Sequence, residues 1–224
     1  MRSGPMWLGV LLGLAAGVAV WWAARRLAGG RPHLEARDPE EEGTAAGPEN
    51  RLFPQALLVV AGMASWGGYA GGRSGSAAQV VPAVAVTGLL LLISLVDWRS
   101  RRIPNALVFA LLAWAPVQMA WLGWPSPAAG VAGLLAGGGL FLFLALLGRG
   151  AMGAGDVKLA AALGAVLGLP QILPALLLGA LGGGVAALLL LLTGRAGRKD
   201  PMAYGPYLAL GAWLVWARAA GLWP

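Results

Sequence analysis

Residues 77–105 read AAQVVPAVAVTGLLLLISLVDWRSRRIPN: a run from Ala77 to Val96 without one charge, then Asp97, then Arg99, Arg101 and Arg102, then Ile-Pro-Asn. At about 1.5 Å of rise per residue the uncharged run is long enough to cross about 30 Å of hydrocarbon as a helix. Comparable runs lie outward on both sides, at 6–24, 55–70, 103–123, 127–147, 157–191 and 203–222. The 157–191 run is twice the usual length and holds Pro170 and Pro174. Proline removes a helix donor and biases its predecessor away from the α conformation, so this run predicts two helices turning at Gly168-Leu169-Pro170. The expectation is an all-α, polytopic membrane protein of about eight transmembrane helices, with seven as the alternative count.

Composition agrees with that class. Of 224 residues, 58% are hydrophobic and 11% charged, far from a soluble average. With no cysteine and His33 as the single histidine, thiolate chemistry, disulfides and Cys- or His-based metal sites have no ligands. No cofactor or metal is expected. The net charge of +7 sorts by loop rather than forming a nucleic-acid face. Thirteen of the sixteen Lys and Arg fall after the odd-numbered spans, leaving Arg2, Arg73 and Arg218 on the other side. Basic residues are retained in cytoplasmic loops, so eight spans with the N-terminus outside fit, and a single crossing between Lys158 and Arg195 does not. Arg25 and Arg26 directly after the first run favour a retained anchor over a cleaved signal. Three parts follow: an anchor over 1–27, a polar acidic cytoplasmic loop over 28–54, and a multi-helix membrane core over 55–224. Glycines four residues apart, such as Gly133 and Gly137, read as close helix crossings.

Nine acidic residues narrow the chemistry. Six (Glu35, Asp38, Glu40, Glu41, Glu42 and Glu49) lie in the polar loop, and Asp200 lies in the basic loop before the last span. Asp97 and Asp156 remain, both at membrane boundaries and on the same side. Ionisable groups at such positions are costly and turn towards one another or a wet cavity, so two on different helices invite a shared site. The plainer reading is that each is solvated at headgroup level, paired with a neighbouring Arg or Lys, or capping its helix. Asp156 ends Gly153-Ala154-Gly155-Asp156, where glycines permit close backbone approach.

At these residues the sequence resembles a type IV prepilin leader peptidase, of the GxGD class of membrane aspartic proteases. Asp97 with Ile103, Pro104 and Asn105 resembles the family's first catalytic aspartate and its downstream Ile-Pro-Asn. Gly153 to Leu159, GAGDVKL, resembles the second, with Gly153, Gly155 and Lys158 as motif positions. Tyr204-Gly205-Pro206 resembles the start of the final helix, with Tyr204 for Phe and Ala203 for a common proline. The resemblance implies an aspartic endopeptidase of the bacterial inner membrane, its site facing the cytoplasm. Its implied partners are a prepilin or pseudopilin substrate and membrane lipid. Asp97 and Asp156 would be the catalytic pair, with Gly205 and Pro206 in support. Many relatives carry two Cys-x-x-Cys pairs after the first span, in a segment linked to N-methylation. This chain has an acidic stretch there instead, so the expectation is peptidase activity without methylation, although some relatives lack the cysteines and still methylate. Glu40, Glu41 and Glu42 would attract a basic leader. A competing reading of the residues is a small transporter using Asp97 and Asp156 as a proton or cation relay, and a third is a structural protein with solvated boundary aspartates.

Overall fold

Long uncharged runs bounded by Gly, Pro and Arg dictate helices in a medium where every backbone donor must bond within its own segment. The computed structural model describes residues 4–28, 48–74, 77–148, 152–194 and 202–222, and within them every regular element is a helix. In chain order these are α1 (Gly4–Ala28), α2 (Pro48–Ser74), α3 (Ala77–Ser100), α4 (Asn105–Leu122), α5 (Pro127–Leu147), α6 (Ala154–Leu167), α7 (Ile172–Leu192) and α8 (Gly205–Ala219). The acidic cluster Glu40 to Glu42 and Asp200 lie outside the described residues.

Five helices (α1, α3, α4, α5 and α7) are long and apolar enough to cross a membrane. With 14 and 15 residues, α6 and α8 are only about 21 and 22 Å long. Their shortness is compensated by burial. From Leu159 to Leu167 nearly every residue of α6 is buried, the pattern of a helix enclosed on all sides. It packs on α5 and α4 and touches α7 and α8, while α3 packs on α1, α2, α4 and α8. Leucines on α5 and α7, among them Leu135, Leu146, Leu181 and Leu188, are exposed and form the apolar outer surface a bilayer covers.

The helix ends follow local chemistry. The break expected inside the long run falls at residues 168–171, where Gly168 adopts φ 71° and its N–H donates to the Gly164 carbonyl at 2.8 Å. Gly123 closes α4 in the left-handed helical conformation, φ 67° and ψ 12°, and Ser126 accepts the Ala129 N–H at the start of α5. Pro104 is the N-cap of α4, directly before its first turn. The α6 helix also starts earlier than the apolar run suggested, so Asp156 is in its first turn. Crossings are built on glycine: a Cβ on Gly133 would collide with the Gly164 carbonyl, and one on Gly211 with the Ala175 carbonyl.

Candidate active site

Asp97 is in the last turn of α3 and only 4% exposed. An uncompensated carboxylate at that burial is expensive, so its partner matters. The first N–H groups of any helix lack intrahelical acceptors and carry partial positive charge. The Gly205 N–H, at the start of α8, donates to Asp97 Oδ2 at 2.9 Å. Glycine leaves room for this contact, because a Cβ at residue 205 would lie 2.8 Å from Oδ2 and displace the carboxylate or the helix start. Pro206, in the first turn of α8, needs no N–H of its own.

Asp156 is held by the same principle on its own helix. It is the third residue after the N-cap Gly153, and its carboxylate bonds back to the Gly153 backbone, the geometry of half a capping box. The capping reading and the shared-site reading therefore describe one arrangement. Asp97 and Asp156 line the same cavity of about 370 Å³, near enough that the charge of one acts on the other.

The motif residues meet around this cavity. Ile103 rests against Gly155, where a Cβ would stand 3.3 Å from the Ile103 Cβ. Lys158 Nζ donates to Asn105 Oδ1 at 3.2 Å, tying the second turn of α6 to the first residue of α4. Lys158 thus binds Asn105. Tyr204 lies within electrostatic reach of Asp156, and its ring fills the space a side chain at Gly183 of α7 would take.

Two cavity residues were visible in the sequence only as basic neighbours of Asp97. Arg101 and Arg102 line the same wall as the carboxylates, and Arg101 adopts φ 50°, a left-handed conformation uncommon for a branchless cationic side chain. Its N–H donates to the Asp97 carbonyl at 2.7 Å, closing α3 in the manner usually left to glycine. The signal was position alone, within five residues of Asp97. Neither aspartate lies in the middle of its helix, where a transmembrane relay would need it.

The fold and this cavity define a multi-pass helical membrane protein with paired aspartates at two helix ends. The sequence profile of the type IV leader peptidase family matches residues 84–188, which include both aspartates, Ile103 to Asn105 and the GAGDVKL segment but not Gly205. That stretch of the chain is similar to this family. The chain is 32% identical over 168 residues to the prepilin leader peptidase/N-methyltransferase of Bacillus subtilis, covering 74% of this chain and 65% of that protein. The protein of the same name from Xanthomonas campestris is 34% identical over 153 residues, 64% of this chain and 52% of that one. The corresponding Pseudomonas putida protein is 31% identical over 180 residues, 77% and 62% of the two chains. The chain thus spans between half and two thirds of the length of these relatives. No solved structure matches it.

Proposed function

We propose that this chain is an aspartic endopeptidase that removes the leader from type IV prepilins or pseudopilins at the cytoplasmic face of a bacterial inner membrane, with Asp97 and Asp156 as its catalytic pair. The observation that carries the reading is the convergence of the two membrane-boundary carboxylates, from α3 and α6, on one cavity. Two neighbouring carboxyls cannot both ionise cheaply, so the pair shares one proton. The ionised member takes a proton from a water as it attacks the scissile carbonyl, and the protonated member gives its proton to the carbonyl oxygen. Collapse of the tetrahedral adduct then expels the amine, which takes up a proton, and no covalent enzyme intermediate forms. Gly205 fixes Asp97 and Gly153 fixes Asp156, so the acid and base are positioned before substrate arrives.

The substrate's leader would lie on the cytoplasmic side, where Arg101, Arg102 and Lys158 also stand, with its apolar helix in the bilayer. The proposed topology is eight crossings with the N-terminus outside, supported by the sorting of Lys and Arg. The polar loop with Glu40 to Glu42 would receive the basic leader. Methylation is not part of the proposal, since the loop has no cysteine.

The test is co-expression with a prepilin, comparing the native chain with Asp97→Asn and Asp156→Asn by gel shift and N-terminal sequencing. Both variants should accumulate in the membrane and leave the leader attached, each losing at least about 10³-fold in rate, the scale on which acid–base groups act. Processing by either variant at the native rate would remove the pair from the mechanism.

A further inference from the structure

Below the carboxylate cavity a second, larger space opens on the side of the molecule, bounded by α2, α3 and α8, with a volume of about 750 Å³. On α3 its wall is Thr87, Leu90, Leu91 and Ser94. On α8 it is Pro206, Ala209, Leu210 and Trp213. Both sets have the spacing i, i+3, i+4, i+7, one helix face each, and on α2 the wall likewise runs seven residues from Gly62 to Tyr69. Seven residues of helix are about 10 Å, or two turns, so three helices enclose a trough two turns long.

The upper end of the trough reaches the proposed catalytic pair. Ser94 is one turn before Asp97 on α3, and Pro206 directly follows Gly205, which holds Asp97. The lower end is closed by aromatic rings: Trp66 and Trp213 meet with centroids 4.8 Å apart, and the Trp213 indole donates to Thr87 Oγ1 at 3.0 Å. Between the ends, Gly62, Ser65 and Ala209 leave room for a backbone. Small residues are what helices present to one another in a bilayer, whereas a flexible acyl chain needs no such surface.

We infer that this trough is the docking site for the first two turns of the apolar substrate helix that follows the scissile bond. The inference rests on the peptidase reading and adds the place where the enzyme holds the membrane-embedded part of its substrate. An amphipathic or apolar helix laid in such a groove is read at the same i, i+3, i+4, i+7 positions the walls display. With the helix seated there, its cytoplasmic end sits beside Asp97, and the extended leader crosses the Asp97 and Asp156 cavity. The closed aromatic end limits how deep large side chains reach, which makes side-chain size in the second turn a determinant of specificity.

Gly62 gives a clean test, because it is exposed on the trough and a Cβ there meets nothing within 4 Å. Gly62→Phe sends a ring into the trough from a Cβ that itself clashes with nothing inside the enzyme. Two synthetic substrates serve as probes: a basic leader ending in Gly followed by a Leu/Ala helix of about 20 residues, and a soluble peptide cut short a few residues past the same junction. Gly62→Phe should slow cleavage of the helical substrate at least tenfold and leave the short peptide within twofold of native. A photo-reactive residue at Leu210, 55% exposed in the trough, should crosslink the helical substrate on an Asp97→Asn background, and the same residue at Leu177 of α7, 59% exposed, should not. Unchanged cleavage of both probes by Gly62→Phe, equal slowing of both, or a Leu210 crosslink only to lipid or to a second copy of this chain overturns the docking site while the peptidase reading stands. If the native chain cleaves neither probe, the peptidase reading fails and this inference with it.

Discussion

A single missing methyl group at residue 205 determines where the Asp97 carboxylate can be. The Gly205 N–H is a helix-terminal donor with no partner on its own helix, and Asp97 is an acid with little access to water, so each satisfies the other across 108 residues of sequence. Gly205→Ala retains the N–H but places a Cβ 2.8 Å from Oδ2, forcing the carboxylate or the start of α8 to move. Misplacing a reacting group by about 1 Å costs on the order of 10²-fold in rate. The expected result is a fall of about that size in kcat on a prepilin, with KM and membrane accumulation near native; native kcat would mean that the bond to Gly205 does not position Asp97. The two aspartates themselves were legible by elimination, since seven of nine acids sit in polar loops. Their partners were harder to see. A GP step before a helix shows where the helix starts, but not which distant side chain its first N–H faces, and the left-handed backbone of Arg101 leaves no mark in a pattern of side-chain types.

Elements shorter than the bilayer need neighbours, and Gln118 shows how α6 and α8 obtain them. Its side chain is fully buried in α4, and all four of its hydrogen-bonding positions are used. The amide N–H groups donate to the Val166 carbonyl of α6 at 3.0 Å and the Trp124 carbonyl at 3.3 Å. The oxygen accepts from the indoles of Trp216 in α8 at 2.9 Å and of Trp114 at 3.3 Å. One residue thus joins α4, α6 and α8 at the end far from the aspartates. Gln118→Leu keeps the volume and removes every bond. At about 0.6 kcal/mol per bond in a membrane protein the loss is about 2.4 kcal/mol, which falls at the lower end of the roughly 2–6 kcal/mol that two buried groups left unpaired would cost. Unfolding in detergent should therefore show a destabilisation of about 2–3 kcal/mol, with kcat per folded molecule little changed because the dyad is at the other end. No measurable destabilisation would mean that the network is replaced by water. Helix number and the break at Gly168 were legible from prolines, glycines and run lengths. The role of Gln118 was not, because a lone amide in an apolar run looks the same whether it faces lipid, water or two other helices.

Orientation belongs to the whole molecule, because no single loop decides it. Among the described residues five helices meet the length and apolarity needed to cross unaided, and the argument for eight crossings rests on charge. Arg149 before α6 and Lys158 near its start, and Arg195, Arg198 and Lys199 after α7, are all basic, so α6 and α7 must cross as a pair if both ends stay on one side. A 14-residue helix can do this when protein rather than lipid surrounds it, since its polar ends then meet protein groups or a wet recess instead of hydrocarbon. The gap in legibility has that physical origin: hydropathy measures affinity for lipid, and α6 touches almost none. The absence of cysteine makes the arrangement directly measurable, because one introduced thiol is the only one present. Under the proposed topology Ser126→Cys, in the turn between α4 and α5, is outside, and Thr193→Cys, closing α7, is inside. In intact cells a membrane-impermeant maleimide should label Ser126→Cys, and label Thr193→Cys only after permeabilisation. The reverse pattern would place Asp97 and Asp156 on the outer face, away from a cytoplasmic leader. Labelling of both positions from one side would mean that the segment from α5 to α7 crosses an even number of times, so that one of its short or broken helices does not span.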